Sequence, residues 1–188
     1  MENMNYKIEF LSDWHVGSGL DSGAEADSLV LKDDDNLPYI PGKTIKGLLK
    51  DALREMAELG QADVEAIVAL MGKDAENKDK EKVSVPSKKG SAFFTNAELP
   101  DKERTEIVSN KLQEHLYRNI ASTKINKKGV AEKGSLRTME VCMPLVLEGE
   151  IEYEHLEHKE VLEKAIKWTR HLGVNRNRGL GRCKITCK

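Results

Sequence analysis

A segment near the C-terminus combines glycine and arginine in a pattern that suits phosphate binding. Residues 173–182 have the sequence GVNRNRGLGR and follow a predicted helix. Glycine lets the backbone turn tightly and approach a ligand closely, while guanidinium groups and exposed backbone amides bind phosphate oxygens. The segment therefore fits a phosphate-binding loop, and a glycine-rich turn without a ligand has the same pattern. The residues that carry this chemistry are Gly173, Gly179, Gly181, Arg176, Arg178 and Arg182.

A second candidate anion site lies at residues 40–47, whose sequence is IPGKTIKG. A proline–glycine turn leads there into a predicted helix whose first turn carries Lys43, Thr44 and Lys46. The free amides and the dipole of a helix N-terminus favour an anion. The spacing differs from the G-x-x-x-x-G-K pattern of a Walker loop. A threonine N-cap flanked by solvated lysines is the other interpretation, and both stand at this point.

Single acidic, histidine and cysteine residues give weaker signals. Asp27 lies in a stretch with several other acids, and one loop carboxylate does not by itself indicate catalysis. His15 lies in a glycine-containing loop, where a packing or loop histidine is the simplest interpretation. The cysteines lack a second Cys/His pair to complete a zinc site, so we predict buried or spare thiols. They are Cys142, Cys183 and Cys187.

The composition describes a globular protein with a heavily charged surface. The chain has 188 residues, of which 39% are apolar and 33% charged, with a mean hydropathy of -0.55. This length fits a single domain, residues 1–188, because domains average about 150 residues. No apolar run approaches the roughly 20 residues of a membrane span, and the N-terminus lacks the basic and apolar regions of a signal peptide. We therefore expect a cytoplasmic protein without a membrane partner.

The net charge of -2 hides a strong segregation of charge along the chain. Residues 43–54 carry four basic residues and one acid, and residues 118–137 carry six basic residues and one acid. The last 22 residues carry seven basic residues and no acid. Because polyanion binding depends on the local surface rather than on the total charge, this pattern is compatible with a nucleic-acid partner. Solvated charged surface is the alternative.

Hydrophobic periodicity arranges these segments on alternating strands and helices. Residues 6–11 alternate as a half-buried strand does, and residues 44–59 and 158–172 have helical spacing closed by glycine. Further predicted elements are a short strand at 28–32, a helix at 62–71, a strand at 92–97, one bent or two separate strands across 136–153 and a strand at 182–187. This order predicts an α+β fold with a ferredoxin-like (RRM-type) β-α-β-β-α-β core.

Three segments fall outside this core pattern. Residues 73–90 are almost free of apolar side chains and are predicted to form a mobile surface loop. Residues 122–134 are polar, basic and glycine-containing, which is typical of a protruding, thumb-like loop. Residues 101–117 fit a helix and an irregular segment equally well. The expected architecture is therefore one core with loop and thumb insertions.

The segments described above occur in an order that resembles the RAMP superfamily of CRISPR effectors. Residues 26–32 (ADSLVLK) ahead of residues 37–42 (LPYIPG) are similar to the aspartate-bearing segment of the type III backbone subunit, which polymerises along the guide RNA. Residues 124–126 (KIN) followed by 134–140 (GSLRTME) are similar to the thumb of that subunit. The resemblance extends from about residue 6 to residue 187, with residues 60–90 unmatched.

This resemblance implies a guide-RNA-binding endoribonuclease that cuts target RNA. Asp27 would be the catalytic and metal-binding residue, with a divalent cation that we expect to be Mg²⁺. One carboxylate suits chemistry in which a bound metal and the substrate's 2′-hydroxyl do most of the work. The implied partners are guide CRISPR RNA, target single-stranded RNA, copies of the same chain and other CRISPR effector subunits. The implied RNA contacts are His15, Lys43, Thr44, Lys46, Lys50, Lys124, Arg137, Arg176, Arg178 and Arg182, with Gly173, Gly179 and Gly181 in the glycine loop.

Three alternatives stay open at this point. The chain could be a structural RAMP subunit that binds RNA without cutting it. It could also be a metal-independent guide-processing endonuclease with His15 as general base. A protein-interaction module without an RNA role is the most distant alternative, and its RNA binding would be weak and insensitive to salt. Substitution of Asp27 and removal of metal separate the first two alternatives from the metal-dependent nuclease.

Overall fold

The described residues form ten strands and four α-helices. The computed structural model describes residues 1–19, 26–73 and 87–187, together with the backbone of 76–77 and 84–85. In chain order the elements are β1 (Glu2–Phe10), α1 (Gly42–Glu58), α2 (Val64–Met71), β2 (Gly72–Lys73), β3 (Glu76–Asn77), β4 (Ser84–Val85), β5 (Lys88–Lys89), β6 (Phe93–Phe94), α3 (Asp101–Ser109), β7 (Tyr117–Ser122), β8 (Arg137–Cys142), β9 (Val146–Tyr153), α4 (Lys159–Trp168) and β10 (Cys183–Cys187). Short 3-10 turns occupy Gln113–Leu116, Leu156–His158 and Arg176–Arg178.

The central sheet is antiparallel and has the strand order β10-β1-β9-β6. Helix α1 lies in the connection from β1 to β6, and α4 lies in the connection from β9 to β10. This is the order of a ferredoxin-like β-α-β-β-α-β core, so the predicted α+β fold is confirmed. The alternation in β1 is also confirmed, because every second side chain is buried. These side chains are Met4, Tyr6, Ile8 and Phe10.

Two amphipathic helices cover the buried side of this sheet. Helix α1 buries Ile45, Leu49 and Leu53, and α4 buries Leu162 and Ile166. Both helices were predicted, but their ends differ from the predicted ones. Helix α1 already begins at Gly42, and α4 ends at Trp168 because Thr169 has extended backbone angles. The sequence pattern predicted a helix as far as Leu172 because the Leu172 side chain is also buried, although it lies in an extended segment.

Strands β7 and β8 form a hairpin of their own. The interpretation of residues 136–153 as two strands is therefore confirmed, and residues 143–145 separate them. The two strands belong to different sheets, since β8 pairs with β7 and β9 pairs with β1 and β6. The ambiguous stretch 101–117 divides into α3, a 3-10 turn and the first residue of β7. The hairpin carries the predicted thumb-like residues 122–134 at its connection.

Other predicted segments differ from the structure. Residues 28–32 form isolated bridges instead of a regular strand, because Ser28, Val30 and Lys32 bridge to three different parts of the chain. Much of the predicted mobile loop at 73–90 lies outside the described residues; within the rest, β2 pairs with β5 and β3 with β4. Among the helices that the structure describes, none is both long and apolar enough to cross a membrane.

Candidate nucleic-acid interface

The carboxylate of Asp27 is exposed and held in a fixed orientation beside β8. Its Oδ2 accepts a hydrogen bond from the Thr138 amide at 2.7 Å, and its own amide donates to the Thr138 carbonyl at 2.8 Å. The two hydrogen bonds join Asp27 to Thr138 as in a pair of strands, except that one acceptor is a carboxylate oxygen instead of a backbone carbonyl. One carboxylate oxygen is thus used for positioning, and within the described residues Oδ1 has no hydrogen-bond partner.

The segment that carries Asp27 is fixed along β8 by Glu140. The Glu140 amide donates to the Ser28 carbonyl at 3.0 Å. Its carboxylate accepts from the Val30 amide at 2.9 Å and from the Lys32 ammonium at 2.8 Å. The Glu140 side chain is only 13% exposed, so these charge-assisted bonds are shielded from water. Sequence reasoning did not identify Glu140 or Lys32 as site residues, although both lie in the segments that carry the family resemblance.

His15 is a buried part of the same network. Its ring is 2% exposed, with Nδ1 at 2.6 Å from the Glu140 carbonyl and Nε2 at 3.0 Å from the Ser28 hydroxyl. In the tautomer that satisfies both contacts, Nδ1 donates to the carbonyl and Nε2 accepts from the hydroxyl. The ring is enclosed by protein, so the predicted contact of His15 with guide RNA is disfavoured and stays a prediction. Its enclosure also disfavours His15 as a general base, and the packing histidine is confirmed.

We predict that His15→Ala lowers stability by about 2–3 kcal/mol, since it leaves the Glu140 carbonyl without its buried partner. The Ser28 segment loses a contact at the same time, so Asp27 is held less firmly. Urea denaturation of the two proteins measures the change. His115→Ala is the matched control, because His115 is exposed and its substitution is expected to stay within about 0.5 kcal/mol. Unchanged stability together with weaker RNA binding would instead assign His15 to the RNA surface.

The glycine–arginine loop packs directly on the segment that contains His15. The Val174 amide donates to the His15 carbonyl at 3.0 Å, and the Gly181 amide donates to the Asp13 carbonyl at 2.8 Å. Gly173 has φ +95°, and a Cβ there would lie 2.4 Å from the His15 carbonyl oxygen. The loop and the Asp27 segment are therefore brought together through the buried histidine.

The arginines of this loop point away from the core. Asn175 has φ +55° and precedes the 3-10 turn, and Gly179 follows the turn with φ +90°. All three arginine side chains are exposed, as a polyanion-binding loop requires. The structure therefore places Arg176, Arg178 and Arg182 on the surface.

The start of α1 is capped differently from what the sequence suggested. The Gly42 amide donates to the Asn96 side chain at 3.1 Å, and the N-cap residue is Pro41 without a side-chain cap. The interpretation of Thr44 as the N-cap is therefore wrong. Lys43 is exposed and Thr44 half-exposed, so both are accessible.

Lys46 turns toward the segment before β6. Its ammonium donates to the Ala92 carbonyl at 2.7 Å, and the side chain is half-buried. Burial lowers the pKa of Lys46, and the charges of Lys50 and Lys89 act in the same direction. This lysine thus has a structural partner, and an RNA role for it would require that bond to be exchanged. The half-buried Lys50 adds positive charge at the same place.

The hairpin contributes further cations to the surface. Lys124 is exposed and forms an ion pair with Glu132 at 2.9 Å across the connection. Arg137, also exposed, begins β8 and directly precedes the Thr138 amide that binds Asp27. Arg137 is therefore the direct sequence neighbour of the residue that binds the Asp27 carboxylate.

A divalent cation at Asp27 would need further ligands from outside the described protein residues. Among the described residues, no group of three His, Cys, Asp or Glu side chains could hold a metal by itself. Mg²⁺ often binds through one or two carboxylates together with substrate phosphates and waters, so the exposed Asp27 suits this arrangement.

The cysteines are free thiols, as predicted, and burial raises the pKa of Cys142 well above its usual range and that of Cys183 to about 11.

Together, fold and site define a ferredoxin-like protein with a glycine–arginine loop packed on the His15 segment and an exposed carboxylate, Asp27, oriented by Thr138. The model of the RAMP superfamily matches residues 7–184, and the chain belongs to this superfamily. The resemblance to the RAMP superfamily found in the sequence is thereby confirmed.

Solved structures share this fold along the whole chain. One is the cryo-EM structure of the Type III-B Cmr-beta bound to cognate target RNA, with a TM-score of 0.73 and 13% identity, covering 100% of this chain and 97% of that chain. The apo state of the Type III-B Cmr-beta gives a TM-score of 0.68 and 14% identity, covering 98% and 96%. At this identity the likeness shows a common fold. No curated protein matches the chain.

Proposed function

We propose that this RAMP protein is a guide-RNA-binding backbone subunit of a type III CRISPR interference complex. The observation that carries the proposal is the likeness over the full length, because the chain and its structural neighbour cover each other almost completely. That neighbour is a chain of the Type III-B Cmr-beta bound to cognate target RNA. The expected partners are guide CRISPR RNA, target single-stranded RNA, copies of this chain and other effector subunits, in the cytoplasm.

RNA binding is supported by the exposed cations around the Asp27 segment. Arg176, Arg178 and Arg182 follow a helix on a loop with three left-handed glycines, and Arg137 lies on the β7–β8 hairpin. Guanidinium groups at such positions hold phosphates and fix the register of an RNA strand without reading its bases. The expected binding is therefore sequence-tolerant and weakens steeply with salt.

The proposal extends to cleavage of the target RNA by a metal-dependent endoribonuclease. Asp27 would hold the divalent cation through Oδ1, while the Thr138 amide keeps the carboxylate oriented. When bound, the cation supplies charge stabilisation at the reacting phosphate. The exposed arginines would position the RNA backbone. His15 and Glu140 act as positioning residues, since they fix the segment on which Asp27 lies.

Cleavage of a labelled target RNA by the reconstituted complex tests this function. With guide RNA and Mg²⁺ we expect cuts at regular intervals along the complementary target, and none in chelator. A non-complementary RNA of the same length is the control. An intact target despite tight guide binding would identify a structural RAMP subunit. Cutting that persists in chelator would identify a metal-independent nuclease.

A further inference from the structure

A groove between α1 and α4 lies outside the site described above. It has a volume of about 520 Å³. Its floor is formed by Met56 and Trp168, and its rim carries three cations. The lining residues are Met56, Gln61, Lys164, Lys167, Trp168 and Arg170, none of which is acidic.

Trp168 is presented at this groove with its ring held in place. The side chain is 39% exposed, and its indole Nε1–H donates to the Glu55 carboxylate at 3.0 Å. That hydrogen bond ties the edge of the ring to α1 and removes the conformational cost of ordering the ring when a ligand binds. The other tryptophan, Trp14, is fully buried and stacks on Phe10. Trp168 is therefore the tryptophan that a ligand in solution can reach.

Three cations line the groove, and the Glu55 carboxylate beside the ring is held by the indole N–H. Lys164 and Lys167 pair with Glu160 and Glu163 one turn earlier on the helix, at 2.7 and 3.8 Å. Both lysines are exposed and such pairs are weak, so the lysines can turn to a stronger anionic partner. Arg170 also lines the groove, and the glycine–arginine loop begins three residues later in the sequence. The last 22 residues, which contain Lys167 and Arg170, carry seven cations and no acid.

We infer that this groove binds a single-stranded RNA segment, with one base stacked on Trp168 and the adjoining phosphates held by Lys164, Lys167 and Arg170. An exposed aromatic face beside cations is the combination that single-strand-binding proteins use, because every base can stack and every nucleotide has a phosphate. The inference rests on the proposed RNA-binding function and adds an RNA contact on the helical layer, away from the Asp27 segment. An acidic peptide shares the charge complementarity but does not need the stacking ring.

Tryptophan emission and RNA affinity, measured together, test the groove. The complete chain is titrated with fluorescein-labelled octauridylate for anisotropy, and with the unlabelled oligonucleotide for indole fluorescence. We expect saturable quenching with the same midpoint as the anisotropy. Trp168→Leu should weaken affinity about tenfold, whereas Trp168→Phe should keep the affinity and lose the quenching. The phenylalanine variant retains an aromatic ring, so it separates stacking from a folding defect.

The charged rim is tested by salt dependence. Lys167→Gln combined with Arg170→Gln should lower the slope of log affinity against log salt by about 1.4, because each phosphate contact contributes about 0.7 on a single strand. The matched control combines Lys102→Gln with Lys111→Gln, which changes the net charge equally. These two exposed lysines lie near the two ends of α3. A slope lowered equally by both pairs would overturn the assignment of the rim.

The outcomes distinguish the groove from the proposed function. RNA binding without quenching, and unaffected by Trp168→Leu, would overturn the groove and leave the function standing. The absence of all RNA binding would overturn both. Quenching by oligoglutamate at the same concentrations as by octauridylate would show an acidic-peptide site instead.

Discussion

Replacing Asp27 by Asn is expected to lower target-RNA cleavage by at least about a hundredfold, while guide binding stays within about twofold. Asparagine has the same shape, and its amide oxygen can still accept the hydrogen bond from the Thr138 amide. It has no negative charge, so it cannot hold a divalent cation at the reacting phosphate. Gel analysis of a labelled target gives the rate of cleavage, and anisotropy with guide RNA gives the affinity.

Asp51→Asn is the matched control for this substitution. Asp51 is exposed on α1, where it lies 3.5 Å from Arg54, and its replacement removes the same charge from a different surface. We expect normal cleavage from this variant. Equal losses in the two variants would show an effect of net charge on RNA binding. Full activity of Asp27→Asn would remove the catalytic assignment and favour a structural subunit.

The fold could be predicted because its core elements have regular hydrophobic patterns. In β1 the alternation of buried and exposed residues is visible in the sequence, and α1 has an apolar stripe of helical spacing. Segment 28–32 could not be assigned correctly, because two of its hydrogen bonds are to the side chain of Glu140, which is 110 residues from Val30. Such long-range contacts from a side chain to a backbone amide leave no periodic signal in the sequence.

The exposure of the loop arginines could be predicted from the sequence, whereas the contacts of the buried side chains could not. Exposed arginines in a glycine loop have few packing roles, so their residue types already indicate an anion. Histidine and lysine are ambiguous, because each can bind a ligand or complete an internal hydrogen bond. His15 and Lys46 both donate to backbone carbonyls, Glu140 and Ala92 respectively. Only the three-dimensional positions of those carbonyls distinguish the two roles.

The glycine loop has a structural requirement that is separate from its proposed binding role. Gly181 has φ +70°, and a Cβ there would lie 1.9 Å from the Leu172 carbonyl oxygen. The Leu172 amide donates to the Gly181 carbonyl at 2.9 Å, so the two segments are held against each other. Gly179 has φ +90° but open space around it. Alanine at position 179 therefore has only the cost of a left-handed backbone. Alanine at position 181 has that cost and, in addition, the cost of a clash with the Leu172 backbone.

Gly181→Ala is accordingly expected to lower the free energy of unfolding by about 3 kcal/mol or more, and Gly179→Ala by only about 1–2 kcal/mol. The difference arises because alanine at position 181 must displace Leu172 from the connection that leads into β10. Alanine at position 179 has only the free-energy cost of a left-handed backbone. Urea denaturation of both variants at equal protein concentration measures it. Equal losses would mean that the loop relaxes without displacing Leu172. A larger loss at 179 would contradict the observed packing, because the tight approach of the two segments occurs at Gly181.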